Sequence, residues 1–233
     1  MASLKDIRKR IDSVKRTQKT TSAMKMVSAA KLRRSEDNIR EATPYAVKLK
    51  SVVSSLSTRF DGVEQDTGFG RLFRSSGGKR TGVILVTSDR GLCGGFNASL
   101  SKALARQLNE EGVECAEMVI LGRKGNDFYK RTNHTILENH TGTHPKEQLG
   151  LVRDIVSEFT KRFEANELDQ VILAYNHFVS VMTQEPVIEQ LLPIKAPEAE
   201  SADEREIIFE PSPEDILETL LKKYIQNQVY VSW

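Results

Sequence analysis

Residues 86–97 read VTSDRGLCGGFN: an apolar run closes in a glycine-rich turn, and a helix-like stretch, ASLSKALARQLNEEG, follows. Strand, glycine turn and helix in that order cradle phosphates in many nucleotide-binding proteins, because free amides and the positive end of a helix face the turn. The spacing argues against it here. A dinucleotide fingerprint needs G-x-G-x-x-G, whereas Gly91 to Gly95 read GLCGG. A P-loop needs G-x-x-x-x-G-K followed by Ser or Thr. The pair Gly78–Lys79 has Phe73 at the first glycine position and Arg80 after the lysine, and it precedes the strand. The expectation is a tight structural turn whose glycines allow close packing, with a nucleotide-dependent enzyme as the alternative.

The remaining reactive side chains form no recognisable constellation. His134, His140, His144 and His177 give neither H-E-x-x-H nor a Cys/His ligand spacing. His140 and His144 are spaced like ligands on a helix, but Gly142 and Pro145 make that stretch a turn, so they read as solvated loop residues. Cys93 stands just ahead of a helix, where a thiol pKa can fall. No base accompanies it, so it reads as a packed cysteine. There is no G-x-S-x-G elbow. Neither a catalytic residue nor a metal or cofactor ligand is expected.

The elements that must position the turn follow from apolar patterning. TGVILVTS, AEMVILG, HTILEN and QVILAYNHF are strand-like, with ASLSKALARQLNEEG, GNDFYKRTN and KEQLGLVRDIVSEFTKRFEANE as helices between them. Such alternation predicts a mainly parallel sheet covered by helices. VSVMTQEPVIEQLLPI leaves no room for a crossover helix and predicts an antiparallel pair with the strand before it. The acidic, proline-bearing KAPEAESADERE reads as a loop, and SPED as a helix start with Ser212 as cap and Pro213 in the first turn. The chain ends at Trp233 with that helix seemingly cut short.

Residues 3–43 predict one long helix, opened by Ser3 with Asp6 three positions later as a capping-box variant. Leu4, Ile7, Ile11 and Val14 form a coiled-coil seam, which Gln18, Thr21, Met24, Val27 and Ala30 continue with small, polar or flexible residues. Pro44 marks a kink or the start of a new segment. At 1.5 Å per residue this helix runs roughly 60 Å, too long for the sheet to cover. The fold class is therefore α/β: a long N-terminal coiled-coil helix, a Rossmann-like mainly parallel sheet lobe, and the start of a C-terminal helix. The segments are 1–60 as helix, 61–80 as a glycine- and serine-rich linker, 81–211 as the lobe and 212–233 as the last helix.

Composition narrows the function classes. The hydrophobic share of 39% and charged share of 28% describe a globular protein. No apolar run approaches the ~20 residues of a membrane span, and MASLKDIRKR lacks a secretory signal. Two cysteines make no disulfide framework, which points to a reducing cytoplasm. The net charge of +2 conceals a division: residues 1–60 carry fifteen Lys/Arg against five Asp/Glu, the rest nineteen against twenty-seven. A basic arm of this kind suits an acidic partner. Nucleic acid is disfavoured, because no aromatic residues are interspersed at 3–43 to stack on bases.

MASLKDIRKRIDSVKRTQKTTSAMKMVSAAKLRR, VTSDRGLCGGFN and FEPSPEDILETLLKKYIQNQVY, in this order from Met1 to about Tyr230, resemble the gamma subunit of F-type ATP synthase in its bacterial form. The resemblance implies a non-catalytic rotor without a cofactor of its own. Its N-terminal helix would pair with a C-terminal helix as a shaft inside the alpha/beta ring, and the α/β lobe would sit as a foot on the c ring with epsilon. It places Met24, Lys25, Arg33 and Arg34 on the shaft facing that ring, and Asp89, Arg90 and Cys93 in the turn nearest the ring's base. Ile207, Phe209 and Glu210 match the foot segment that meets the c ring and epsilon. It also implies a peripheral position at the cytoplasmic face of the bacterial cell membrane. Members of this family usually continue for several tens of residues past LLKKYIQNQVY, so a fragment or a truncation is expected.

Overall fold

The structure, a computed structural model, describes residues 3–59, 70–74, 77–113, 115–194 and 213–233. The chain divides into two units, Met1–Tyr45 and Ala46–Trp233. The first unit is helix α1, Leu4–Arg59, whose last turns belong to the second. Ser3 and Asp6 close its start reciprocally: Ser3 Oγ accepts from Lys5 N at 3.2 Å and Asp6 Oδ2 accepts from Ser3 N at 3.2 Å. The helix does not end at Pro44 but continues through it. A proline's fixed φ is itself helical; what it removes is one amide donor.

In the second unit five strands, β1 (Thr81–Val86), β2 (Glu117–Leu121), β3 (Thr135–His140), β4 (Gln170–Phe178) and β5 (Gln184–Leu192), form one sheet in the order β3-β2-β1-β4-β5. The first four are parallel, and β5 runs antiparallel to β4. Helices α2 (Phe96–Glu110), α3 (Arg123–Tyr129) and α4 (Pro145–Glu164) connect the parallel strands. The expected mainly parallel sheet, its antiparallel last pair and all three connecting helices are present. β1 is buried along its whole length, and its side chains alternate between two cores. Val83 and Leu85 meet Leu100, Leu104 and Leu108 of α2 and Tyr129 of α3. Ile84 and Val86 face the other way, toward Val152, Ile155, Val156 and Phe159 of α4. That second core also takes Leu49 and Val53 from the end of α1 and Leu221, Ile225 and Val229 from α5 (Pro213–Ser232). Pro213 opens α5, as expected.

One finding departs from the sequence reading. Part of the glycine- and serine-rich stretch is built into the lobe. Gly70–Phe73 form a 3₁₀ turn with Leu72 fully buried, and the Leu72 carbonyl accepts from Ile194 N at 2.6 Å. A single apolar side chain overrode the linker composition. Arg80, near its end, donates a fork to Asp169, which is only 5% exposed. The edge strand β5 carries Pro186, and the β4–β5 register breaks between Val171 and Ile172. The acidic loop and the Ser212 cap lie outside the described residues.

Candidate functional site

Strand order places β1 beside both β2 and β4 at the sheet's centre, with the chain leaving β1 toward one side and returning at β4. This is the switch point at which open α/β sheets bind ligands beyond their carboxyl ends. The turn VTSDRGLCGGFN stands there, with the side chains of Ser88, Cys93 and Asn97 bonded to one another. Asn97, in the first turn of α2, accepts from Ser88 N at 3.0 Å through Oδ1. Its Nδ2 donates to Ser88 Oγ at 2.8 Å and to Cys93 Sγ at 3.1 Å. Ser88 Oγ donates to the Arg90 carbonyl at 2.6 Å, and Phe96 N to the Cys93 carbonyl at 3.2 Å.

Asp89 is a clamp between three loops. Its Oδ1 accepts from Arg123 N at 3.0 Å and its Oδ2 from Gly142 N at 2.8 Å, while Arg123 Nε and Nη2 donate to the Asp89 carbonyl. The loops leaving β1, β2 and β3 are thereby tied at one end of the sheet. Gly122 belongs to the same clamp. Its φ of +106° and the 2.1 Å that would separate a β-carbon from the Thr87 carbonyl oxygen leave space for no side chain.

The turn corrects two expectations in part. Two of its three glycines do not serve close packing: a β-carbon on Gly94 would meet nothing within 4 Å, and one on Gly91 would reach only Lys124, whereas one on Gly95 would stand 3.1 Å from Ser99 Oγ. Gly94 is needed instead for its φ of +58°. Cys93 is exposed rather than packed, its sulfur held by the Asn97 amide. Leu92, at the tip, is fully exposed and adopts φ +64°, unusual for a leucine. Arg90 is exposed and Asp89 half-buried.

Of the two histidines read as solvated loop residues, His144 is exposed just ahead of α4, while His140 belongs to a strand. His140 ends β3 with Nε2 2.6 Å from Glu138, and His144 is the N-cap of α4, its Nδ1 accepting from Lys146 N. Pro145 at the first helical position was the sequence signal for that cap. His134, half-buried, accepts from Ala116 N at 3.0 Å through Nδ1, and burial lowers its pKa. Among the described residues no cluster of His, Cys, Asp or Glu could hold a metal ion.

A cavity of about 420 Å³ lies at the opposite end of α2 from the turn, lined by Gln107, Glu111, Glu189, Tyr224 and Gln228 among others. Burial raises the Glu189 pKa, opposed by nearby His177. Two carboxylates beside amides repel phosphate, so this cavity does not restore the nucleotide reading.

The second candidate surface lies on α1 in the first unit. Met24, Met26 and Val27 are 58%, 66% and 57% exposed, and Lys25, Arg33 and Arg34 are exposed beside them. The seam residues Leu4, Ile7, Ile11 and Val14 are exposed as well. Thr17, Thr20 and Thr21 turn their hydroxyls back onto carbonyls four residues earlier, which leaves methyl groups outward. Met24, Lys25, Arg33 and Arg34 belong to the first unit, Asp89, Arg90 and Cys93 to the second. Ile207, Phe209 and Glu210 lie outside the described residues.

Comparison with known proteins returns one family. Residues 3–233 match the model of the family described as ATP synthase. A protein of Geobacter sp. (strain M21), "ATP synthase gamma chain", is 44% identical over 236 residues, covering 100% of this chain and 80% of its own. A protein of the same description from Pelotomaculum thermopropionicum is 38% identical, covering 99% and 79%. Among solved structures, a chain of the Tetrahymena thermophila mitochondrial ATP synthase, central stalk and c ring, superposes with a TM-score of 0.62 at 21% identity, over 91% of this chain and 90% of that one. At that identity the likeness is one of fold.

Proposed function

The chain belongs to the ATP synthase gamma family, and from that premise we propose that it is the non-catalytic central-stalk rotor of the complex. It would couple turning of a membrane ring to the conformations of the catalytic subunits during ATP synthesis and hydrolysis. The observation that carries this reading is the exposed apolar and basic surface of α1. A lone helix in water gains little from propensity alone. Side chains such as Leu4, Met24 and Val27, more than half exposed, gain their burial only from another chain or segment.

In this reading residues 1–60 and 212–233 are shaft segments and 81–211 the foot, with Gly70–Phe73 of the 61–80 connection packed into that foot. Met24, Lys25, Arg33 and Arg34 meet the alpha/beta ring from the shaft, the two arginines toward acidic loops. Asp89, Arg90 and Cys93 meet the ring's base from the lobe, and Ile207, Phe209 and Glu210 meet the c ring and epsilon. Association with the membrane is through the complex, at the cytoplasmic face. Among the described residues no helix is long and apolar enough to cross a membrane.

The test is reconstitution with purified alpha and beta subunits. The chain is expected to be retained by the alpha/beta hexamer, and removal of residues 1–34 to abolish retention. ATP turnover by the chain alone, or a hexamer that ignores it, would overturn the reading.

A further inference from the structure

The cavity of about 420 Å³ at the end of α2 is of small-molecule size, a range of roughly 300 to 1,000 Å³. Two carboxylates reach it from different layers. Glu111, the C-cap of α2, is held by two amides: its Oε1 accepts from Gln107 Nε2 at 2.9 Å and its Oε2 from Gln170 Nε2 at 3.0 Å. Glu189 comes from β5, where alternation turns it to the face opposite Ile188. Ile188 packs against the core beneath α2, so Glu189 faces α5, and there burial and then the Glu189 charge push the Tyr224 phenol up. The register break between Val171 and Ile172 leaves Leu191 without a partner on β4 at this point, a bulge of the kind that re-aims neighbouring side chains.

Glu189 lacks what Glu111 has. Among the described residues no hydrogen bond or ion pair reaches its carboxylate. Burial raises its pKa, and only the charge of His177 opposes that. No lysine or arginine is among the described residues lining the cavity. Because α2 ends here, the negative pole of its dipole adds to the two carboxylates. A half-buried carboxylate without a counter-charge is destabilising, and a positive guest removes that cost. The guest is organic rather than a metal ion, since no three His, Cys, Asp or Glu among the described residues gather to chelate one. Ile172 and Ile188 suit a methylene chain, and the Tyr224 ring attracts ammonium groups. Carboxylates approaching from opposite faces of β5 favour a guest with a positive group at each end.

The geometry points to a binding site for a linear aliphatic polyamine, with one ammonium group on Glu189 and another on Glu111. The amides of Gln107 and Gln170 keep the Glu111 carboxylate in place before the guest arrives, which lowers the ordering cost of binding. Once seated, the guest joins α2, β5 and α5 through one molecule and steadies α5 on the lobe. The site stands on the lobe's own residues and does not depend on the rotor reading.

The experiment titrates spermidine into the full chain, followed by calorimetry and by backbone amide shifts. Saturable binding at a single site is expected, with shifts centred on Gln107, Glu189 and Gln228 and slower amide exchange in α5. Glu189→Gln should weaken binding about tenfold, as loss of one charge-assisted hydrogen bond does. Glu111→Gln should do the same, and as an exposed position it carries the test should Glu189→Gln disturb the fold. Glu110→Gln removes the same charge one residue away, outside the cavity lining, and should bind as the parent does. Equal affinity in all three variants, or displacement of spermidine by magnesium chloride at matched ionic strength, means diffuse attraction to an acidic lobe and overturns the inference. A cavity that takes glucose and ignores spermidine overturns it as well.

Discussion

One helix, α1, serves two surroundings. Before Tyr45 its apolar side chains are exposed: Ile7 at 46%, Val14 at 67%, Met24 at 58%. After Ala46 they are buried, with Leu49 at 5% and Val53 at 0%, alongside Leu221 and Ile225 of α5. Residue types barely change across that boundary; what changes is whether the described residues pack against them. Apolar character therefore marks a need for burial, and only the fold tells who meets it. In the lobe the sheet and its helices meet it internally. In the first unit the apolar side chains stand exposed among the described residues.

That contrast can be broken most directly by amide exchange on the isolated monomer. Amides at residues 3–43 are expected to exchange roughly 10⁴-fold or more faster than those of β1, because local opening of an unsupported helix costs little while β1 opens only with the lobe. Equal protection in both regions would erase the distinction.

Core truncation comes next. Leu85→Ala, in a fully buried residue, should cost about 2–5 kcal/mol, whereas Met24→Ala in the free chain should stay within about 0.5 kcal/mol. Urea unfolding followed by Trp233 gives the first number. It is the single tryptophan and packs against the lobe core, so it reports that unit. A Met24→Ala cost as large as that of Leu85→Ala would mean the first unit has a core of its own.

Within the lobe, Asp89→Ala would leave the amides of Arg123 and Gly142 without their acceptor. A loss of about 1–3 kcal/mol is expected by the same assay, with faster proteolysis at the loops after β1 and β3. An unchanged midpoint would reduce Asp89 to a surface residue.

The smallest effect is a pH dependence from His134. Burial holds its folded pKa below the ordinary 6.5, so the neutral ring, accepting from Ala116 N, is the folded form. Its contribution is complete above pH 6.5 and is lost as pH falls through the folded value, since the unfolded chain takes the proton first. His134→Gln should flatten that part of the stability curve between pH 7 and 5. A variant that parallels the parent through this range removes His134 from the account.

The fold was readable where burial is dictated by strings of neighbours. TGVILVTS and QVILAYNHF are apolar at consecutive positions, as strands covered on both faces must be, and QLGLVRDIVSEF carries its apolar residues at helical spacing. The long helix was readable from residues 3–43, though its passage through Pro44 was not, because a proline lowers helix stability without forbidding the conformation. The site was less readable because it is made of distant pairs. Asp89 meets Gly142 across 53 positions, and Cys93 turns outward because Asn97 holds it there; no local pattern encodes either. Leu72 lay hidden inside a glycine- and serine-rich stretch. Val181 and Met182 resemble core residues by type, yet stand 64% and 90% exposed in the β4–β5 turn.

The margin of the sheet has a consequence for the chain before it is assembled. A newly made copy has unmatched apolar side chains along much of α1 and waits among identical copies. Strand-to-strand stacking would be the quickest way to lose it, and β5 is one of the sheet's two borders, with β3 the other, where that could begin. Pro186 offers no amide to a neighbouring strand, and the slipped pairing near Leu192 spoils the flat register that a growing stack would copy. Pairing along β5 is thus discouraged while the apolar side chains of α1 stay exposed.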